Sequence, residues 1–149
     1  MTEFLETTVD KFIFKVATDR YYSSEGLWAQ AEGNHIRIGL SDFLQQRSGD
    51  VAFAEVKQPG TNLTAGDEVA TIETIKVNIS LTSPVMGKVA EVNSAMNDTP
   101  EAINQDPYGK GWLAIIEATS WETDRSALLD AQAYFRLMKG QAEEEAKKL

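Results

Sequence analysis

Between Asp50 and Asn93 the chain never holds one pattern for long. "DVAFAEV", "EVATIE", "VNISLTS" and "KVAEVN" each alternate apolar and polar residues, and "QPGTN", "TAGDE" and "PVMG" break them apart. A two-residue period sets one face of a strand against a core and the other toward water. Gly and Pro in the breaks favour turns. A very short strand around Leu63 fits between two of these turns. Many brief strands joined by tight turns predict a small β-sandwich or barrel.

The flanks extend this reading. "LWAQAE", "GN" and "HIRIGL" predict a hairpin, because Gly33 and Asn34 tolerate the positive φ of a tight turn. "FIFKV" (12–16) predicts a short edge strand, and residues 1–10 read as a flexible lead-in. Ser41 is placed to cap a short helix, "DFLQQRS", that Gly49 ends. "NDTPEAINQDPYGKG" predicts a polar loop with one helical turn after Pro100. "WLAIIEA" (112–118) reads as a buried strand, with Trp28 and Trp112 in the core. From Glu122 onward the spacing turns helical, with Leu128, Leu129, Tyr134, Phe135 and Met138 apolar. Asp130 is placed to cap the second of two helices, and Gly140 to interrupt it. "QAEEEAKKL" carries Glu143–Lys147 and Glu144–Lys148 at four-residue spacing, the mark of a solvated charged tail. The expected organisation is a mainly β domain over 11–140, with short helices and a helical C-terminal segment, between the lead-in and a charged helical tail, 141–149.

Composition narrows the chemistry. The net charge of −9 repels nucleic acid and anionic membrane surfaces. With no cysteine there is no disulfide or protein thiol, and a single histidine gives poor support to a nucleophile–histidine machine. His35 has no ligand constellation around it, so no metal site is expected. No apolar run reaches membrane-span length, and the mixed, acidic start is unlike a signal peptide. A cytoplasmic location is the resulting expectation.

Lys76 is the residue that stands out. It lies between the alternating runs "EVATIE" and "VNISLTS", flanked by Ile75 and Val77, so a hairpin tip falls at or beside it. A long flexible amine on a projecting tip suits a covalently tethered cofactor that must reach several partners. Amide formation with a carboxylic acid would remove its charge. Glu73, just before the tip, is a candidate mark for the modifying enzyme.

These residues resemble a known family. "GDVAFAEVKQPGTNLTAGDEVATIETIKVNISLTSPVMGKVAEVN" followed by "INQDPYGKGWLAIIE" is similar to the H-protein of the glycine cleavage system, over roughly residues 21–138. The resemblance implies a barrel-sandwich hybrid with C-terminal helices, a lipoyl group in amide linkage on Lys76, and a carrier without catalysis of its own. Biotin carriers share that fold but centre their lysine in Met-Lys-Met, whereas Ile75-Lys76-Val77 stands here. Lipoate would bring the sulfur chemistry that a chain without cysteine lacks.

Near the start the pattern departs from the family's Tyr-x-x-x-His-Glu-Trp. This chain reads Tyr22-Ser23-Ser24-Glu25-Gly26-Leu27-Trp28. Leu27 stands where the family has the carboxylate associated with holding an aminomethyl cargo, so Glu25 and Leu27 are the expected arm-docking surface. That departure resembles the H-protein-like lipoate-binding proteins of sulfur oxidation, which work with a heterodisulfide reductase-like complex. The expectation is a carrier of sulfur intermediates; the alternative is an aminomethyl carrier between glycine decarboxylase and aminomethyltransferase. Either role implies a lipoate-protein ligase or lipoyl synthesis enzymes as partners, and dihydrolipoyl dehydrogenase.

Overall fold

The computed structural model describes residues 2–64 and 66–148. Its strands are β1 (Phe4–Val9), β2 (Phe12–Ala17), β3 (Tyr21–Tyr22), β4 (Leu27–Glu32), β5 (His35–Leu40), β6 (Val51–Val56), β7 (Asn62–Leu63), β8 (Glu68–Thr74), β9 (Asn78–Thr82), β10 (Gly87–Val92) and β11 (Ala114–Ala118). The helices are α1 (Asp42–Ser48), α2 (Ala95–Asp98), α3 (Ala102–Gln105), α4 (Trp121–Ser126) and α5 (Ala131–Lys147).

The alternating runs form two antiparallel sheets. One has six strands in the order β3-β4-β5-β11-β10-β7, and the other has three, β6-β8-β9. Leu27, Ile36 and Ile38 from the larger sheet share one core with Val69, Ile72 and Leu81 from the smaller. Each of the six is at most 3% exposed. Burying a side chain of this size contributes roughly 1.5–3 kcal/mol. The mainly β, lipoyl-domain-like architecture with a C-terminal helix is as the sequence predicts.

A second core forms where β1 and β2 meet α1 and α5. Within the stretch 1–10, read as a flexible lead-in, Phe4–Val9 is an ordered strand: β1 pairs with β2 from Phe4↔Ala17 to Val9↔Phe12. Val9, Phe14 and Val16 turn inward onto Phe43, Tyr134 and Met138. Side chains of the body then hold the hairpin's backbone. The Tyr108 hydroxyl donates to Lys15 O at 2.7 Å, and Tyr22 donates to Ala17 O at 2.7 Å. Lys15 N–H donates to Asp42 Oδ2 at 2.9 Å, and Gln46 Nε2 donates to Ile13 O at 2.9 Å.

The C-terminal expectations also need correction. Asp130 does cap α5, accepting from Ala133 N–H at 2.8 Å. Gly140 does not interrupt it, and the helix runs unbroken to Lys147. Residues 141–147 are its last turns and pack on the body: Ala142 is buried and Glu145 pairs with Arg47 at 3.0 Å. Leu128 and Leu129 lie between α4 and α5, where Leu129 exchanges backbone hydrogen bonds with Tyr22. Trp28 is fully buried, but Trp112 is only partly so, lies before β11, and sits under the Arg37 guanidinium at 4.8 Å.

Candidate functional site

The β8–β9 hairpin places Lys76 at its tip. Glu73 pairs with Asn78, leaving Thr74 to Val77 to turn the chain. Thr74 braces that turn. Its N–H donates to Val77 O at 2.8 Å, and its hydroxyl accepts from the Lys76 and Val77 N–H groups at 3.1 and 3.0 Å. The same hydroxyl donates to Ser48 O at 2.7 Å, tying the tip to the end of α1. Threonine suits this position because its hydroxyl substitutes for turn hydrogen bonds.

The lysine sits against the C-terminus of α1. Ser41 caps that helix at its start, accepting from Leu44 N–H at 3.2 Å. Gly49 closes it with φ 93° and ψ −172°, donating to Gln45 O. A β-carbon at Gly49 would come within 2.9 Å of Lys76 Cδ, so the bare glycine is what lets the lysine stem lie there. Asn104 holds this corner together. It donates to Gly49 O and Gln45 Oε1, both at 3.0 Å, and accepts from Val51 N–H at 2.9 Å.

Lys76 is exposed, and its amine donates to Arg47 O at 3.3 Å. Among the described residues no carboxylate forms a salt bridge with it. An amide formed on Nζ would retain one N–H for the same carbonyl and would strand no ion-pair partner. The site therefore fits an acyl group on this amine. Ile75 and Val77 flank it at 77% and 44% exposure, and Phe53 on the neighbouring strand is 68% exposed. Glu73 is exposed and opposite Phe53, on the same tip as Lys76.

Beside Lys76 lies a groove of about 250 Å³, lined by residues of the β1–β2 hairpin, α1 and the end of α5, with Lys76 in its wall. Neither Glu25 nor Leu27 lines it. The structure corrects the docking expectation at Leu27: its side chain is wholly buried in the core between the sheets. Glu25 is exposed in the turn that precedes β4. Gly26 follows at φ 102°, and its Cα lies so close to Leu44, Ser41 and Tyr134 that a β-carbon would sit 3.1–3.3 Å from them. The groove does hold two carboxylates, Asp10 and Glu145, from segments that carry no functional motif. The two-residue spacing of Phe12, Phe14 and Val16 is the clue to a packed hairpin there, and Phe14 and Val16 are the buried ones.

Three tyrosine hydroxyls are shifted by burial. Burial pushes the Tyr134 phenol up to about 12, even though its hydrogen bond with Ser41 acts the other way. Tyr22 and Tyr108 are raised as well, again chiefly by burial. His35 opens β5 and is exposed, 3.9 Å from Glu117. No group of three or more His, Cys, Asp or Glu capable of holding a metal occurs among the described residues. No helix among them is long and apolar enough to cross a membrane.

Comparison with known proteins adds an independent line. The family described as glycine cleavage H-protein matches residues 20–141. A glycine cleavage system H protein of Stenotrophomonas maltophilia is 43% identical over 108 residues, covering 72% of this chain and 82% of the relative. One from Thermus thermophilus is 35% identical over 127 residues, covering 85% and 98%. The crystal structure of a glycine cleavage system H protein from Mycobacterium marinum superposes with a TM-score of 0.72 at 29% identity, covering 83% of this chain and 96% of that one.

Proposed function

This chain belongs to the glycine cleavage H-protein family, and from that premise we propose that Lys76 bears lipoate and carries an aminomethyl group between glycine decarboxylase and aminomethyltransferase. Proteins of this family are non-catalytic lipoyl carriers with the cofactor amide-linked to a lysine. When bound, lipoate supplies reversible thiol–disulfide chemistry. The residues of this chain supply presentation.

The observation that carries the reading is the braced tip. Thr74 holds the backbone of Lys76 and Val77, while the lysine side chain stays exposed with a single hydrogen bond, to a carbonyl. A lipoate-protein ligase or lipoyl synthesis enzyme needs an accessible amine on a defined loop. Glu73, on the outer face of the same hairpin, serves as a recognition mark for it. Dihydrolipoyl dehydrogenase is the further partner, and the setting is cytoplasmic.

A second reading, a shuttle of sulfur intermediates serving a heterodisulfide reductase-like complex, is favoured by one observation: Gly26 and Leu27 replace the family's His and Glu. Its force is reduced because Leu27 is buried away from the groove, and Asp10 and Glu145 supply carboxylates within it. An amine cargo gains from a carboxylate at hydrogen-bond range.

Intact mass tests the attachment, and loading tests the cargo. Wild type produced with a lipoylating enzyme should gain one lipoyl increment, and Lys76→Arg should not. The lipoylated protein, incubated with glycine decarboxylase and glycine, should then gain the methylamine increment. A lipoylated protein that refuses this load would overturn the glycine cleavage role in favour of the sulfur reading.

A further inference from the structure

We propose that segments outside the shared family domain form a berth for the arm carried on Lys76. The inference rests on lipoylation of that lysine and adds where the arm sits. The family match ends at residues 20 and 141. Phe12 and Phe14, which line the groove, precede it, while Ala142 and Ala146, which line it from the end of α5, follow it.

The wall chemistry suits a hydrocarbon chain ending in a sulfur ring. Phe12 and Phe14 stack with centroids 6.3 Å apart, and Phe14 meets Phe43 edge-on at 5.3 Å. Together they make a continuous aromatic surface. Divalent sulfur packs favourably against aromatic rings, and methylenes leave water for such a surface readily. Along α5, Ala142 and Ala146 are one helical turn apart, and their small side chains keep the groove open where longer ones would fill it. The Arg47 guanidinium, 5.6 Å from the Phe43 ring and paired with Glu145, forms a polar rim.

Tethering favours this occupant over any free ligand. Lys76 is itself part of the wall, so an acyl group on Nζ starts at the groove and meets it at high effective concentration. A volume of about 250 Å³ lies below the usual range for pockets that enclose drug-sized ligands, roughly 300–1,000 Å³, and suits a slender chain. The hairpin wall is bonded to the body through Tyr108, Asp42 and Gln46, so the surface is preformed.

The test uses the full chain lipoylated with lipoate carrying ¹³C in the dithiolane ring. Intact mass comes first: absence of the increment from Lys76 would refute the attachment and the berth together. With the increment present, we expect cross-relaxation between ring-carbon protons and the aromatic protons of Phe12 and Phe14. Reduction of the arm disulfide by a water-soluble phosphine should be about fivefold faster in Phe12→Ser, whose lost ring removes groove wall, than in wild type. Phe53→Ser, exposed and off the groove, should match wild type. Ala146→Phe, which fills the groove without touching the hairpin sequence, should speed reduction similarly. A lipoylated chain with narrow ring signals, no such cross-relaxation and equal reduction rates in all four proteins would overturn the berth while leaving the carrier reading intact. Groove signals that change with protein concentration instead would assign it to a second copy, and would equally overturn the proposal.

Discussion

Gly49→Ala should unsettle the lysine tip through the backbone rather than through the side chain it touches. Gly49 sits at φ 93° and ψ −172°, a region almost closed to residues with a β-carbon. Forcing alanine there costs about 1–3 kcal/mol. The new methyl would also approach Lys76 Cδ to 2.9 Å, but that methylene belongs to a flexible, exposed side chain and can swing aside cheaply. For a domain of this size each kcal/mol lowers Tm by about 2–4 °C, so the expected drop is roughly 2–12 °C. Asparagine should not rescue it, because Asn tolerates the left-handed helical region, where ψ is near +50°, and this residue lies elsewhere. Thermal unfolding of wild type, Gly49→Ala, Lys76→Ala and the double variant separates the two causes. If φ is responsible, the loss persists in the Lys76→Ala background. A Tm within a degree of wild type in Gly49→Ala, or a loss that vanishes when Lys76 is removed, would refute the reasoning.

Lys76→Ala alone should abolish lipoylation yet leave stability within about 0.5 kcal/mol, as for most exposed side chains, in a urea titration. Trp28→Ala should cost about 3–5 kcal/mol, because the ring is fully buried; Trp112→Ala should cost clearly less, and equal midpoints would contradict the burial assigned to them. Leu27→Glu should cost about 3 kcal/mol or more by burying an unpaired carboxylate, so it cannot serve to restore a cargo contact, and a stable variant would mean that Leu27 reaches water. For pH, burial pushes the Asp19 carboxyl up, but the Arg20 hydrogen bond and charge outweigh it and hold it below its ordinary 3.8. A depressed carboxylate stabilises the fold above its unfolded value and loses that contribution as pH falls through the folded one. Acid unfolding curves of wild type and Asp19→Asn should therefore converge below about pH 4; parallel curves would remove Asp19 from the acid response. At the alkaline end stability should decline above pH 10, where unfolded tyrosines ionise but Tyr22, Tyr108 and Tyr134 stay neutral in the fold.

The β framework was legible because its signals are local. Alternation marked β4 to β6 and β8 to β10, and the turn residues marked their ends. Ser41 and Asp130 announced helix starts through their own capping chemistry. The lysine tip followed from the strands on either side. Burial that depends on distant partners could not be read this way. "WLAIIEA" looked uniformly apolar, but the strand begins at Ala114 and leaves Trp112 near the surface under Arg37. "FLETTV" alternates weakly and looked like a mobile start, until β2, α5 and the Tyr108 hydroxyl are there to hold it. Gly140 looked like a break, but helix packing through Met138 and Ala142 overrides its low propensity. Leu27 was assigned to a docking surface by alignment to a family position. Where a side chain points is decided by the strand register, and Leu27 opposite Leu40 faces inward.

The threonine brace has a consequence for encounter rates. With the Lys76 and Val77 amides both bound to the Thr74 hydroxyl, and that hydroxyl bound to Ser48, the pivot barely moves relative to the protein. Nearly all of the search is then left to rotatable bonds beyond the α-carbon. An arm on a wandering loop would spread the same terminal group over a larger volume and dilute it at any docked partner's entrance. A stationary pivot with a flexible stem instead confines the group to one shell, keeping its local concentration of the order of mM. A partner need only dock in one orientation for its entrance to lie on that shell.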